Sequence, residues 1–146
     1  MWLAERPNVT ASRARGWYTH IMAESVKRRL RQFTGSVSAK AAIGGTPLRL
    51  EHYLRIQTVL TGLVTRHRKQ PSLGEFIQTL VKYERVHIVT VGENYAAMRA
   101  KGDYALAEIQ LAPWSELPQS RQRELWRTML RGRVSNASSY APDAEA

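Results

Sequence analysis

The chain has 146 residues, of which 22 are Lys or Arg and 12 are Asp or Glu, so its formal net charge is +10. It contains no cysteine, which excludes disulfides, thiolate zinc sites and cysteine nucleophiles. No apolar run approaches the roughly 18 residues that a membrane-spanning helix needs. We therefore expect one soluble, cytoplasmic, basic domain over residues 1–134 that attracts polyanions.

The first predicted element is a helix over residues 11–34, or from Trp17 onward if Gly16 delays its start. Gly35 is placed to end it. Apolar residues recur along one side at steps of three and four, at Tyr18, Met22, Val26, Leu30 and Phe33. This spacing predicts a helix that packs on a core and exposes basic side chains on its other side.

Two less regular stretches follow. Residues 36–47 contain Gly44, Gly45 and Pro47 and are predicted as a connection, although Val37 and residues 39–43 could form one short helical turn. Residues 48–66 fit an amphipathic helix, although their Thr and Val residues favour strands. The predicted helix ends in a basic cluster at residues 66–69, where cations suit the negative end of the helix dipole.

The most regular helical pattern covers Leu73–Tyr83. Ser72 and Glu75 have the spacing of a capping box, in which each side chain accepts a bond from the other residue's backbone amide. The apolar positions form one stripe, at Leu73, Phe76, Ile77, Leu80 and Val81. We expect this helix to belong to the core.

The pattern then changes to strand, helix and strand, over residues 86–91, 93–101 and 105–111. A crossover of this length joins parallel neighbours in a right-handed unit. The predicted fold class is therefore mainly α with a small strand–helix–strand element (α+β). The alternative is an all-α helical bundle in which both runs are helical.

The end of the chain is predicted as a connector, a last helix and a disordered tail. The helix opens at Pro118 or Ser120 and ends at Gly132, and residues 135–146 form the tail. Its inner stripe consists of Leu125, Trp126, Met129 and Leu130. The arginines of the same helix are spread over its remaining surface.

The positive charge is concentrated in the predicted helices. Residues 10–33 hold six basic residues against one acidic, residues 48–70 five against one, and residues 113–134 five against two. Residues 85–112 are balanced, with three of each sign. If the helices pack with their apolar stripes inward, their outer faces can merge into one basic surface that neutralises several phosphates.

This charge pattern predicts a non-catalytic nucleic-acid-binding protein that contacts the phosphate backbone of RNA or DNA through an Arg-rich helical surface. The candidate contact residues are Arg13, Arg15, Lys27, Arg28, Arg29, Arg31, Arg66, Arg68, Lys69, Arg127 and Arg131. Arginine suits this role because its guanidinium forms forked contacts with phosphate and stacks on bases. Aromatic residues could add stacking on unpaired bases, namely Trp17, Tyr18, Tyr53, Trp114 and Trp126.

Small basic helical subunits of larger ribonucleoprotein particles, such as CRISPR effector complexes, share this general character, but no motif assigns the chain to them. A membrane partner is not expected. An adaptor that binds an acidic protein partner is one alternative function.

The other alternative is a small metal-independent nuclease or toxin-like ribonuclease. The four histidines are scattered without a zinc-binding spacing, so we predict no metal site and no cofactor. No residue is assigned a catalytic role. His67, which lies among cations, is the weak candidate for a general base.

Overall fold

The computed structural model describes residues 24–54 and 73–142. The helices in these residues are α1 (Glu24–Leu30), α2 (Ala39–Ile43), α3 (Leu73–Tyr83), α4 (Val91–Arg99) and α5 (Gln119–Leu125). The strands are β1 (Gln32–Ser38), β2 (Leu48–His52), β3 (Arg85–Thr90) and β4 (Leu111–Pro113). A π-helical turn, Trp126–Leu130, continues α5, and 3₁₀ turns cover Trp114–Glu116 and Ala137–Tyr140.

The four strands form one mixed sheet in the order β2-β3-β1-β4. The central strands β1 and β3 are parallel, and each has an antiparallel outer neighbour. Phe33 pairs with Val86 and Val37 pairs with Ile88, so β1 takes four residues where β3 takes two. Gly35, with a φ of 86°, lies in this bulge, where a positive φ suits glycine.

One face of the sheet carries the main apolar core. Phe33 and Val37 of β1 and Val86 and Ile88 of β3 are buried there, because alternate residues of a strand point to the same face. The C-terminal part of the chain covers them with Leu117, Leu125, Met129, Leu130 and Val134. This packing holds α5 and its π-helical turn against the sheet.

The predicted fold class needs correction. An all-α bundle is wrong, and the two-stranded strand–helix–strand element is replaced by a four-stranded mixed sheet in an α+β fold. The parallel pair joins β1 to β3, whereas residues 105–111 supply no parallel neighbour of β3. Instead, Asp103 Oδ1 accepts a bond from the Leu106 amide at 3.0 Å and starts a turn, and only β4 follows as a short antiparallel strand.

Two predicted helices need correction: the helix over residues 11–34 is confirmed only for Glu24–Leu30 among its described residues, and the helix over residues 48–66 is wrong where the structure describes it. α1 ends at Leu30, and Phe33 lies 2% exposed in β1 rather than at the end of a helix. Leu48–His52 is a strand, although the pattern of residues 48–66 fits a helix. In both cases pairing with β3 overrides the local helical spacing, because apolar residues at mixed spacing can be buried in either conformation.

Other expectations are confirmed. Leu73–Tyr83 is a helix with the predicted bounds, and residues 39–43 form the short helical turn that the sequence allows. The predicted strand over residues 86–91 and the helix over 93–101 correspond to β3 and α4. Thr90 caps α4 through a complete capping box with Glu93, which explains why the strand changes to a helix at that residue.

The predicted disordered tail is a further correction. Residues 135–142 lie folded against the sheet, and residues 143–146 lie outside the described part of the chain. The Asn136 side chain accepts a bond from the Phe33 amide at 2.8 Å and donates one to the Phe33 carbonyl at 2.9 Å. It therefore pairs with the edge of the core strand as a neighbouring strand would.

Candidate nucleic-acid interface

The short helix α1 carries the densest basic stretch that the structure describes. Glu24 lies in its first turn and Lys27, Arg28 and Arg29 in its last, an order that matches the helix dipole. The Arg28 side chain is 55% exposed, and its Nε lies 3.7 Å from the Glu24 carboxylate. An exposed pair at this distance contributes little to stability. Arg28 is therefore available for an external anion.

The carboxyl end of α1 is held against the segment that follows the last helix. The backbone amide and the hydroxyl of Ser135 both donate to the Arg31 carbonyl, at 2.7 and 2.8 Å. Gly132, with a φ of 71°, turns the chain toward this contact. Two segments about a hundred residues apart in sequence are thus neighbours in space.

This contact brings Arg133 close to the cations at the end of α1. Partial burial lowers the pKa of Arg133, and the positive charges of Arg31 and Arg28 lower it further, while Glu24 acts in the opposite direction. Arg28, Arg29, Arg131 and Arg133 are all exposed. We refer to these four residues as the basic patch.

The last helix extends the positive charge away from the basic patch. Arg127 is exposed one turn before Arg131, whose guanidinium lies 5.9 Å from the centre of the Trp126 ring. A cation over an indole face at this distance is stabilised by the ring quadrupole. Trp126 itself is fixed, because its Nε1 donates to the Ala137 carbonyl at 2.8 Å.

Arg31 differs from its neighbours because its side chain is only 12% exposed. Its guanidinium contacts Glu84 at 3.0 Å and Glu24 at 2.8 Å. Although burial acts to lower it, the bonds to these carboxylates raise the pKa of Arg31 above its ordinary value. Arg31 is therefore committed to protein carboxylates rather than presented to a ligand.

The Glu84 carboxylate also holds a histidine. Glu84 is 1% exposed, and its Oε2 lies 2.8 Å from His52 Nε2. The His52 ring stacks on Tyr83 at 4.7 Å between centroids. Burial raises the pKa of Tyr83 to about 12, and the Glu84 charge adds to this effect. The cluster fixes the beginning of β1 and β3 and the end of β2.

A second polar cluster lies among the strands. His87 Nδ1 lies 2.6 Å from Thr34 Oγ1, and its ring stacks on Tyr53. Tyr104 donates a hydrogen bond to Glu51 and meets the His87 ring at its edge. Burial lowers the pKa of His87 to about 4, and the Arg85 charge contributes. His87 is therefore neutral and buried, and it does not contribute a positive charge to the surface.

The described residues include six members of the predicted contact set, which lie on two separate parts of the chain. Lys27, Arg28 and Arg29 lie on α1, Arg127 and Arg131 follow α5, and Arg31 lies inside the ion-pair cluster. Residues Arg13, Arg15, Arg66, Arg68, Lys69 and the catalytic candidate His67 lie outside the described residues.

The sequence prediction missed Arg133 as a contact residue. It lies beyond Gly132, where the helical pattern ends, so no periodicity places it on a particular face. Arg133 could have been identified from its neighbour Val134. Val134 is apolar and is expected to be buried, so the segment that carries both residues should pack against the protein.

The described residues contain neither a group of three metal-ligating side chains nor a helix that could cross a membrane. Within residues 24–54 and 73–142, no three His, Asp or Glu side chains are grouped so that they could hold a metal ion. In the same residues, no helix is both long and apolar enough to cross a membrane.

The fold and the patch define a small basic α+β protein in which Arg133 lies near Arg28 of α1. No protein-family model, curated protein or solved structure matches the chain.

Proposed function

We propose that the protein binds the phosphate backbone of RNA or DNA through the basic patch and the arginines that continue it along the last helix. The observation that supports the proposal is the contact between Ser135 and Arg31, because it brings Arg133 close to Arg28 from a distant part of the chain. Each phosphate that these cations neutralise releases counterions and adds salt-dependent affinity.

The composition of the patch favours phosphate over a carboxylate-rich protein partner. The patch consists of arginines, whose fork of donors fits phosphate and carboxylate oxygens alike, but whose planar group also stacks on nucleic-acid bases, which a carboxylate-rich protein does not offer. Phosphate contacts carry no base information, so this function requires little sequence preference. A role as a small cytoplasmic subunit of a ribonucleoprotein particle fits such binding.

The test compares two variants that each lose three positive charges. In the patch variant, Arg28, Arg29 and Arg133 are replaced by Gln; in the control, Lys40, Arg49 and Arg99, which are exposed elsewhere, are replaced by Gln. Fluorescence anisotropy with a 20-nucleotide RNA or DNA measures affinity from low to physiological salt.

We expect the patch variant to bind much more weakly than the control, and its plot of log affinity against log salt to be less steep by about two to three units. Equal losses of affinity in the two variants would show that only net charge matters, and they would exclude the basic patch as a specific binding site. Wild-type binding that is absent, or indifferent to salt, would refute the function itself.

A metal-independent nuclease is the second candidate, and one observation favours it. The His52 side chain is 26% exposed and is oriented by the buried Glu84 carboxylate, beside Arg31. An imidazole held by a carboxylate next to cations is an arrangement that can remove a proton from a hydroxyl near a phosphodiester. Cleavage of RNA in EDTA by the wild type, lost in His52→Gln, is the expected result for this candidate; no cleavage by the wild type excludes it.

A further inference from the structure

A cavity lies between the last helix and the C-terminal 3₁₀ turn, apart from the basic patch. Its volume is about 210 Å³, and its lining includes Trp114, Gln119, Gln122, Arg123 and Tyr140. We call these five residues the aromatic pocket. The volume is below the roughly 300–1,000 Å³ of sites for drug-sized ligands, so it suits one small planar group.

The two aromatic rings form adjoining walls of the aromatic pocket. Trp114 and Tyr140 lie 5.7 Å apart at 77°, so a planar group can stack on one ring and meet the edge of the other. Both rings also contact Phe33, at 5.5 and 4.8 Å. Because the core holds them in place, a ligand does not have to order them, which lowers the entropic cost of binding.

Gly35 contributes to the placement of Tyr140. A Cβ at this position would lie 3.1 Å from the Tyr140 hydroxyl, and the backbone already has a positive φ. The bulge in β1 therefore has a glycine where the tyrosine packs against it.

The polar lining suits the edge of a nucleobase. Gln122 Nε2 donates to the Trp114 carbonyl at 2.8 Å, which fixes the plane of the amide and leaves its oxygen to accept a bond. Gln119 and Arg123, which are exposed residues, add an amide and a guanidinium to the lining. Amides and guanidinium groups are the side chains that pair with base edges.

A row of arginines joins the aromatic pocket to the basic patch. Arg123, Arg127 and Arg131 are exposed at four-residue intervals, which is about one turn in both the α-helical and the π-helical part. At about 1.5 Å per residue the row spans about 12 Å. This length corresponds to roughly three or four nucleotides of a stacked strand.

We propose that the aromatic pocket takes one unpaired nucleobase of a single strand whose backbone follows this row to the basic patch. The ligand is therefore single-stranded RNA or DNA, because a paired base stacked inside a duplex cannot enter the cavity. This inference rests on the proposed function and adds to it the form of nucleic acid that the protein selects.

The experiment compares three ligands of one length: a thymidine oligonucleotide, an abasic strand with the same number of phosphates, and a duplex. We expect the thymidine strand to bind about tenfold more tightly than the abasic strand, since one stacked base contributes a factor of this order. Tyr140→Leu should remove this preference and leave abasic binding unchanged. The matched control is Tyr95→Leu, at an exposed tyrosine on α4, and it should keep the preference.

Photocrosslinking of a 5-bromouracil strand to the wild type, followed by mass spectrometry, decides the question even if Tyr140→Leu fails to fold. Crosslinks to Trp114 or Tyr140 support the pocket; crosslinks confined to other residues overturn it. Equal binding of thymidine and abasic strands overturns the pocket but leaves the proposed function standing. No binding of any strand overturns both, and a preference that survives in folded Tyr140→Leu places the base elsewhere.

Discussion

Arg28 and Arg31 are three residues apart in sequence, yet their guanidinium groups are in different environments. The Arg31 side chain is 12% exposed and contacts two carboxylates at 3.0 Å or less, whereas the Arg28 side chain is 55% exposed and contacts Glu24 at 3.7 Å. Arg31 connects strands through Glu84, and Arg28 faces outward beside Arg133. The comparison shows that a cluster of arginines in a sequence contains structural and binding residues that only their neighbours distinguish.

The largest expected effect tests the structural role of the buried Arg31. Glu84→Ala leaves the Arg31 guanidinium without its buried partner, so we expect a loss of about 3–5 kcal/mol in the free energy of unfolding. Urea denaturation measures it. Glu116→Ala, at an exposed glutamate, is the control and should change stability by less than about 0.5 kcal/mol. Equal effects of the two substitutions would mean that the buried ion pair is not structural.

The second prediction concerns pH and the interior histidine. The pKa of His87 is about 4 in the folded protein against 6.5 ordinarily, so the unfolded chain takes up a proton first as pH falls. Stability contributed by neutral His87 is complete above pH 6.5 and is lost progressively down to pH 4, by up to about 3 kcal/mol.

The measurement compares urea unfolding of the wild type and His87→Gln between pH 7.5 and 4. Burial raises the pKa of Glu51, which acts in the opposite direction in both proteins and cancels in the difference. The difference in stability should shift in favour of the variant as pH falls. A constant difference across this range would show that His87 titrates alike in the folded and unfolded states.

The third prediction tests the contact between the Asn136 side chain and the Phe33 backbone, which joins the C-terminal segment to β1. Asn136→Ala removes both bonds to the Phe33 backbone, and we expect a loss of about 2 kcal/mol in the free energy of unfolding. Because this contact helps to hold the segment with Arg133 beside α1, the folded variant should also bind nucleic acid more weakly. Asn94→Ala, on α4, is the control. Unchanged binding in folded Asn136→Ala would show that the patch does not need this contact.

The smallest stability effect is expected on the exposed side. Arg29→Gln should change the free energy of unfolding by less than about 0.5 kcal/mol, because Arg29 makes no ion pair with a described carboxylate. It should nevertheless reduce the steepness of the salt dependence of nucleic-acid binding by about one unit. Thermal unfolding and anisotropy measure the two effects. The reverse result, lower stability with unchanged binding, would show that Arg29, like Arg31, has a structural role.

Elements with strong local signals could be predicted from sequence. α3 has a regular apolar stripe, and the step from β3 to α4 carries the Thr90 capping box, so adjacent residues define these elements. β1 and β2 could not be predicted in this way. Leu30 and Phe33 have helical spacing, but Phe33 pairs with Val86 more than fifty residues away, and no local pattern contains that information.

The candidate site could likewise be predicted only in part from local sequence. Local sequence is enough to identify Lys27, Arg28 and Arg29 as a basic cluster with an exposed side. It could not show that Arg31 would turn inward to Glu84, or that Arg133 would join the cluster, because both depend on contacts between distant segments. The aromatic pocket likewise depends on a segment that composition alone assigns to a disordered tail.

The sequence by itself therefore determined the net charge of +10, the absence of cysteine and the helices and strand whose residues carry their own start and periodicity signals. Tertiary structure alone decided the order of the four strands, the burial of Arg31 and the meeting of Ser135 with the end of α1. The physical reason is range: caps and periodicity act within a few residues, whereas strand pairing and burial choose partners from the whole chain.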